Sequence, residues 1–194
     1  MGPRSAMLFV LFLCATTTHL SVGMIIYKDA ITGDEMFSDI YKVKTSEDEI
    51  FYEVEGKVVT RKEGSVDDSL IGGDATAQEV AESIDESAVS GVNIVLNHNL
   101  QETQFTKHEY MEYMKEYMKK VKEHLEEEQP ERVEPFMVAA TPAVKHIVQN
   151  LENWQFFIGE TENKEGMVAL LNYREDGITP YMLFFKDGLR EERA

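Results

Sequence analysis

The chain has 194 residues, 43% hydrophobic and 28% charged, which fits one globular domain with a single core. Its 36 acidic residues against 19 basic ones give a net charge of −17. Such a surface repels phosphate, so nucleic acid is excluded as a partner class, whereas cations and basic protein surfaces are suited to it. The only cysteine is Cys14, so the chain beyond it has no disulfide framework, no thiolate metal site and no cysteine nucleophile.

Residues 1–23 have the look of a secretory leader. Arg4 gives a positive start, Met7 to Ala15 is an unbroken apolar run, and Ser21 and Gly23 are small residues two apart. The run is too short to be a stable membrane anchor. The remainder lacks cysteine and any Asn-x-Ser/Thr acceptor, and Met24 is itself a plausible start. Two readings therefore stand: a cleaved signal peptide, or an upstream extension of a chain that begins at Met24. Residues 24–194 form a single domain under both.

From Met24 to Val59 the sequence predicts short strands and turns. Ile25-Ile26-Tyr27 starts a strand, Thr32-Gly33-Asp34 is a turn signal, and Met36-Phe37 resumes the apolar pattern. Phe51 to Val54 and Val58 to Thr60 flank Glu55-Gly56-Lys57, which predicts a hairpin. Residues 61–90 are rich in acids and glycine and poor in apolar residues after Ile71, the pattern of a long mobile acidic loop. Val92 to Leu96 is expected to return to strand.

Thr106 to Glu128 is the clearest helix. Thr106 and Glu109 have capping-box spacing, and Tyr110, Met114, Tyr117, Val121 and Leu125 recur on one face. Pro130 breaks it, and the apolar pattern from Val133 to Leu151 predicts a second helix, so that about 106–152 forms a helical hairpin. Pro142 predicts a kink or break near Thr141, with Thr141 capping a restarted helix. Phe156 to Ile158, Met167 to Leu171 and Tyr181 to Phe185 then predict strands separated by glycine turns, with Pro180 at a strand start. The order implies an α+β fold: a mainly antiparallel sheet carrying a helical hairpin and a long acidic loop.

Enzyme signatures are missing from the sequence. It has no Gly-x-Ser-x-Gly elbow and no phosphate-binding glycine loop, its histidines are scattered, and no EF-hand spacing occurs. Trp154 and Phe156 are expected to serve the core.

Several stretches resemble the translationally controlled tumour protein (TCTP) family: MIIYKDAITGDEMFSDIYKV from Met24, VEGKVVTRKEG, DDSLIGG, NHNLQETQFTK, PERVEPFM, QFFIGE and MVALLNYREDGITPYMLFFKDGL. The likeness covers nearly all of the chain after residue 23. It implies a β-tent-like fold and a non-enzymatic, multi-partner regulator with roles in growth and survival, cytoplasmic unless the leader sends it out. A secreted, histamine-releasing factor is the alternative that the leader would favour. The resemblance also implies weak calcium binding, for which Asp67, Asp68, Asp74, Glu126, Glu127 and Glu128 supply candidate oxygens. It implies tubulin and microtubule association through the helical region, where Lys115, Lys119, Lys120 and Lys122 form the candidate face. It further implies small-GTPase binding through Glu35, contact with apoptosis regulators, and phosphorylation at Ser69 and Ser87, whose acidic neighbours would make added phosphate repulsive. The sequence departs from the family pattern at Asp74-Ala75-Thr76-Ala77-Gln78, and it ends in Ala194 where many vertebrate members have a dimer-forming cysteine. The related exchange chaperones bind zinc, but no Cys-x-x-Cys pair occurs here, so zinc is not expected.

Overall fold

The computed structural model describes residues 23–62 and 88–194. The acidic loop expected at 61–90 therefore falls almost wholly outside the described residues. Its two ends do not: they are strands.

Every strand pairing described is antiparallel. Strand β1 (Ile25–Asp29) turns through Gly33, whose φ of 82° suits glycine, into β2 (Glu35–Ser38). Strands β3 (Lys42–Thr45) and β4 (Phe51–Glu55) follow, then β5 (Val58–Lys62) and β6 (Ala88–Val92). A short helix α1 (Asn93–Asn97) precedes β7 (Gln101–Thr103). Two long helices, α2 (Lys107–Glu128) and α3 (Val133–Gln149), are joined through a 3-10 turn at Pro130–Arg132. The chain closes with β8 (Gln155–Ile158), β9 (Ala169–Tyr173), β10 (Pro180–Phe185) and β11 (Leu189–Arg193). These strands build a three-stranded sheet ordered β11-β1-β2, a six-stranded sheet ordered β3-β4-β10-β9-β8-β7, and a β5-β6 ribbon.

Aromatic rings tie the layers together. Phe37 of β2 stacks on Tyr27 of β1 at 4.4 Å and meets Phe184 of β10 at 4.5 Å, so the two larger sheets share one core. Helix α2 lays its predicted stripe on the same core: Tyr110, Met114, Tyr117, Val121 and Leu125 are all buried. Tyr110 meets Phe156 of β8 at 5.3 Å, and Tyr117 meets Phe185 of β10 at 5.9 Å. Each fully buried side chain of this kind contributes about 1.5–3 kcal/mol of transfer free energy. Gly188 is required here, because a Cβ would come within 2.0 Å of the Tyr117 hydroxyl.

Four local expectations are corrected. Glu55-Gly56-Lys57 is not a hairpin turn: β4 and β5 belong to different sheets, and β5 pairs with β6 instead. The chain is redirected by fixed contacts, since the Gly56 N–H donates to the Pro180 carbonyl and the Lys57 N–H to Asn93 Oδ1. Val92 to Leu96 is not a strand, because β6 ends at Val92 and 93–97 is helical. A short apolar run does not distinguish the two by periodicity. Arg61, Lys62 and Ala88 to Ser90, expected in the loop, are strand residues. Finally, the break expected as one alternative near Thr141 does not occur: α3 runs unbroken through Pro142. Thr141 does not cap a new helix; its hydroxyl donates back to the Met137 carbonyl. Pro142 and Val138, whose carbonyl loses its helical donor, lie on the exposed face where water can serve it. Phe136, Ala140 and Ile147 meanwhile anchor the opposite face. One strand was missed altogether: β11, a charged LREER segment paired with β1.

Candidate functional site

The candidate residues sit on three separate surfaces. The first is the corner at Glu35, the first residue of β2, whose backbone faces Lys28 beside a β-bulge. The Glu35 side chain is half exposed, and its Oε2 lies 4.0 Å from Nδ1 of His98, just after α1. That separation is electrostatic contact rather than a hydrogen bond. The His98 ring is buried edge-on against Tyr41, and neither ring nitrogen has a partner among the described residues. Burial pushes the His98 pKa below its ordinary 6.5, with the Glu35 charge opposing. Lys28 is drawn away from Glu35 by Glu192 at 2.8 Å. Glu35 thus presents a carboxylate to solvent with no hydrogen-bonded cation of its own among the described residues. His98 is the neighbour that sequence spacing could not reveal.

The second surface is the outer face of α2. Lys115, Lys119 and Lys122 fall at i, i+4 and i+7, opposite the buried stripe, and Lys120 lies on the flank. Lys119 faces Glu123 at 3.9 Å and Lys122 faces Glu126 at 3.3 Å. Lys120 donates to Glu165 at 2.8 Å, a contact that lowers the Glu165 pKa. No carboxylate among the described residues lies within 4.0 Å of Lys115. Exposed i,i+4 pairs are worth about 0.3–0.5 kcal/mol, so these lysines remain available to a stronger acidic partner.

The third surface is the C-terminal end of α2. Glu126, Glu127 and Glu128 are all exposed, and consecutive helical residues point about 100° apart. They do not converge as calcium ligands must. Among the described residues no group of three His, Cys, Asp or Glu side chains is placed to hold a metal ion. The three carboxylates do add to the negative helix end, which attracts cations without caging one. Asp67, Asp68, Asp74, Ser69 and Ser87 lie outside the described residues.

Two charged clusters were missed by sequence reasoning. Asp29, buried at the end of β1, accepts from Thr32 Oγ1 at 2.7 Å and from the Met167 N–H at 3.0 Å. Gly166 leaves room for it, since a Cβ there would lie 2.3 Å from Asp29 Oδ2. Arg132 grips buried Asp187 with two parallel bonds of 2.9 and 2.8 Å. Met167 lies 138 residues from Asp29, and Asp187 lies 55 from Arg132, so no local pattern marks these two contacts.

Taken together, fold and surfaces define a class: an α+β protein with a helical hairpin on antiparallel sheets, offering its charged candidates on open faces. The family model described as translationally controlled tumour protein matches residues 24–190. The chain is 59% identical over 171 residues to a translationally-controlled tumor protein homolog of Danio rerio, and 58% identical over 172 residues to the Homo sapiens protein. Each alignment covers 88% of this chain and 100% of the relative. Among solved structures, a translationally controlled tumor-associated protein of Schizosaccharomyces pombe aligns with a TM-score of 0.72 at 45% identity, covering 88% of this chain and 99% of that one. The Caenorhabditis elegans protein aligns at 0.65 and 33%, covering 88% and 98%. The chain belongs to the translationally controlled tumour protein family. Among the described residues no helix is long and apolar enough to cross a membrane.

Proposed function

We propose that this protein is a non-enzymatic regulator that works by binding several partners, microtubules among them. The observation that carries the microtubule reading is the position of Lys115, Lys119 and Lys122 on the face of α2 turned away from the core. Surface ion pairs of this strength yield to a denser acidic surface such as that of tubulin. Reversing Lys115, Lys119, Lys120 and Lys122 to glutamate should weaken co-sedimentation with microtubules while leaving the far-ultraviolet circular dichroism intact. Unchanged pelleting would move the interface elsewhere. We place this activity in the cytoplasm, following the family.

Calcium association in this proposal is weak and shared among carboxylates, because Glu126, Glu127 and Glu128 do not converge. Calorimetry should show shallow, salt-sensitive heats, and a single sub-micromolar site would overturn the reading. A small-GTPase interface is the second partner surface proposed, on the strength of the half-exposed Glu35 carboxylate beside His98. Glu35→Gln should weaken GTPase capture without altering microtubule pelleting.

A further inference from the structure

With 36 acids and 19 bases in the chain, a surface on which cations outnumber carboxylates runs against the average. Such a surface lies between the start of β3 and the β5-β6 ribbon, in a groove of about 580 Å³. Lys42, Lys57 and Arg61 line it against one carboxylate, Glu55. Lys42 already takes both Glu55 oxygens, at 3.3 and 3.2 Å, and neither Lys57 nor Arg61 has a carboxylate partner among the described residues.

Arg61 is held ready rather than satisfied. One guanidinium nitrogen donates to Asn97 Oδ1, and the Asn97 amide is fixed in turn by donating to the Tyr41 hydroxyl at 2.5 Å. The Arg61 Nε–H is buried and has no acceptor among the described residues. A buried donor on a charged group is rarely left unmet, so Asn97 answers only part of what the Arg61 guanidinium demands. Beside it are apolar side chains: Val59 in the groove, Ile40 at its rim, 52% exposed, and Val89, 55% exposed and opposite Arg61 in the ribbon ladder.

We propose that this groove docks an acidic, extended peptide segment of a partner protein. One carboxylate pairs with the Arg61 guanidinium, Lys57 faces a second, and an apolar side chain between them rests on Ile40 and Val59. The apolar rim favours a peptide, which can set an apolar side chain between its carboxylates, over a polyphosphate chain, which has none to offer. The groove shares no residue with the α2 face, so the two readings can fail separately.

The test is fluorescence anisotropy of the full-length protein with a short labelled peptide alternating glutamate and leucine, against the same peptide with lysine for glutamate. The glutamate peptide should bind in a salt-dependent way and the lysine peptide should not. Arg61→Gln should weaken binding about tenfold, the loss of one charge-assisted hydrogen bond. Lys57 is exposed and its side chain carries no structural bond among the described residues, so Lys57→Glu tests the charge without risk to the fold. Lys115→Glu, on α2, should leave binding unchanged, and the amide resonances of Tyr41, Val59 and Asn97 should shift on titration. Absence of binding, equal loss in Lys115→Glu, or equal binding of the lysine peptide would overturn the proposal. Competition by single-stranded DNA as effective as that by peptide would overturn the ligand class. Self-association abolished by Lys57→Glu would give the groove to a second copy instead, and overturn the partner assignment.

Discussion

Helix α2 and the β11-β1-β2 sheet bury rings in the same core, yet they are held in place by different kinds of contact. In α2 the contacts that define the element are local. Thr106 Oγ1 accepts from the Glu109 N–H, Glu109 Oε2 accepts from the Thr106 N–H at 2.8 Å, and Lys119 and Lys122 pair with glutamates one turn on. In the sheet the defining contacts are remote. Strand β1 pairs with β11 in register Ile25 to Arg193, and Asp29 at its end is tied to Met167. A region built from local contacts fails locally when one is removed. A region built from remote contacts loses several elements at once.

The sharpest way to break this comparison is Phe37→Ala. Phe37 is fully buried between Tyr27 and Phe184, so its removal leaves a cavity at the junction of two sheets and should cost about 3–5 kcal/mol. Hydrogen exchange should show protection lost in β1, β10 and β11 together. Loss confined to β2 would contradict remote support. Next in size is Asp29→Ala, which strands the buried Met167 N–H and should cost about 1–3 kcal/mol. Gly166→Ala drives a Cβ against the Asp29 carboxylate and should also destabilise. In the Asp29→Ala background that second change should cost less, because the clash with the carboxylate is gone and only that with Thr32 Cγ2, at 2.5 Å, remains. Strict additivity in urea-melt double-mutant cycles would argue against the contact.

The same division decides what could be read in the sequence. Thr106, Glu109 and the stripe from Tyr110 to Leu125 lie within one window, so helix, cap and buried face were all legible there. Strand β11 was not, because Arg190 to Arg193 carry no apolar alternation and become strand only through pairing with β1. The Glu55-Gly56-Lys57 turn misled for a similar reason: its local signal was hairpin-like, but the partner of β5 lies beyond the acidic segment. Lysines on α2 could be placed on an outer face from period alone. The pairing of Lys120 with Glu165, and the burial of His98 beside Glu35, depend on folding that brings distant segments together.

On the local side, Thr106→Ala should remove the cap and cost about 1 kcal/mol. Its exchange signature should be confined to the first turn of α2, with β8 and β10 unaffected. Spread into the sheet would mean that the cap also orients the helix, and the contrast between the two regions would narrow.

The smallest expected effect lies at His98, where a local element meets the sheet. Burial holds its folded pKa below 6.5, and Glu35 at 4.0 Å opposes that shift only partly. As pH falls below 6.5 the ring protonates first in the unfolded chain, so the unfolded state binds more protons and stability declines. The decline ends once pH passes below the folded pKa, where both states carry the proton. Above 6.5 the ring is neutral in both and contributes no slope. Carboxylates with lowered pKa, such as Glu53 beside Arg174, act in a separate window, adding stability above about 4.5 that is lost as pH falls further. Urea midpoints measured in small pH steps should therefore show a shoulder just below 6.5 that disappears in His98→Phe. Glu35→Gln should enlarge the shoulder, because it removes the charge that favours the protonated ring. If the shoulder survived in His98→Phe, another group would be the source. If it shrank in Glu35→Gln, the Glu35–His98 contact would not be the attraction that their separation implies.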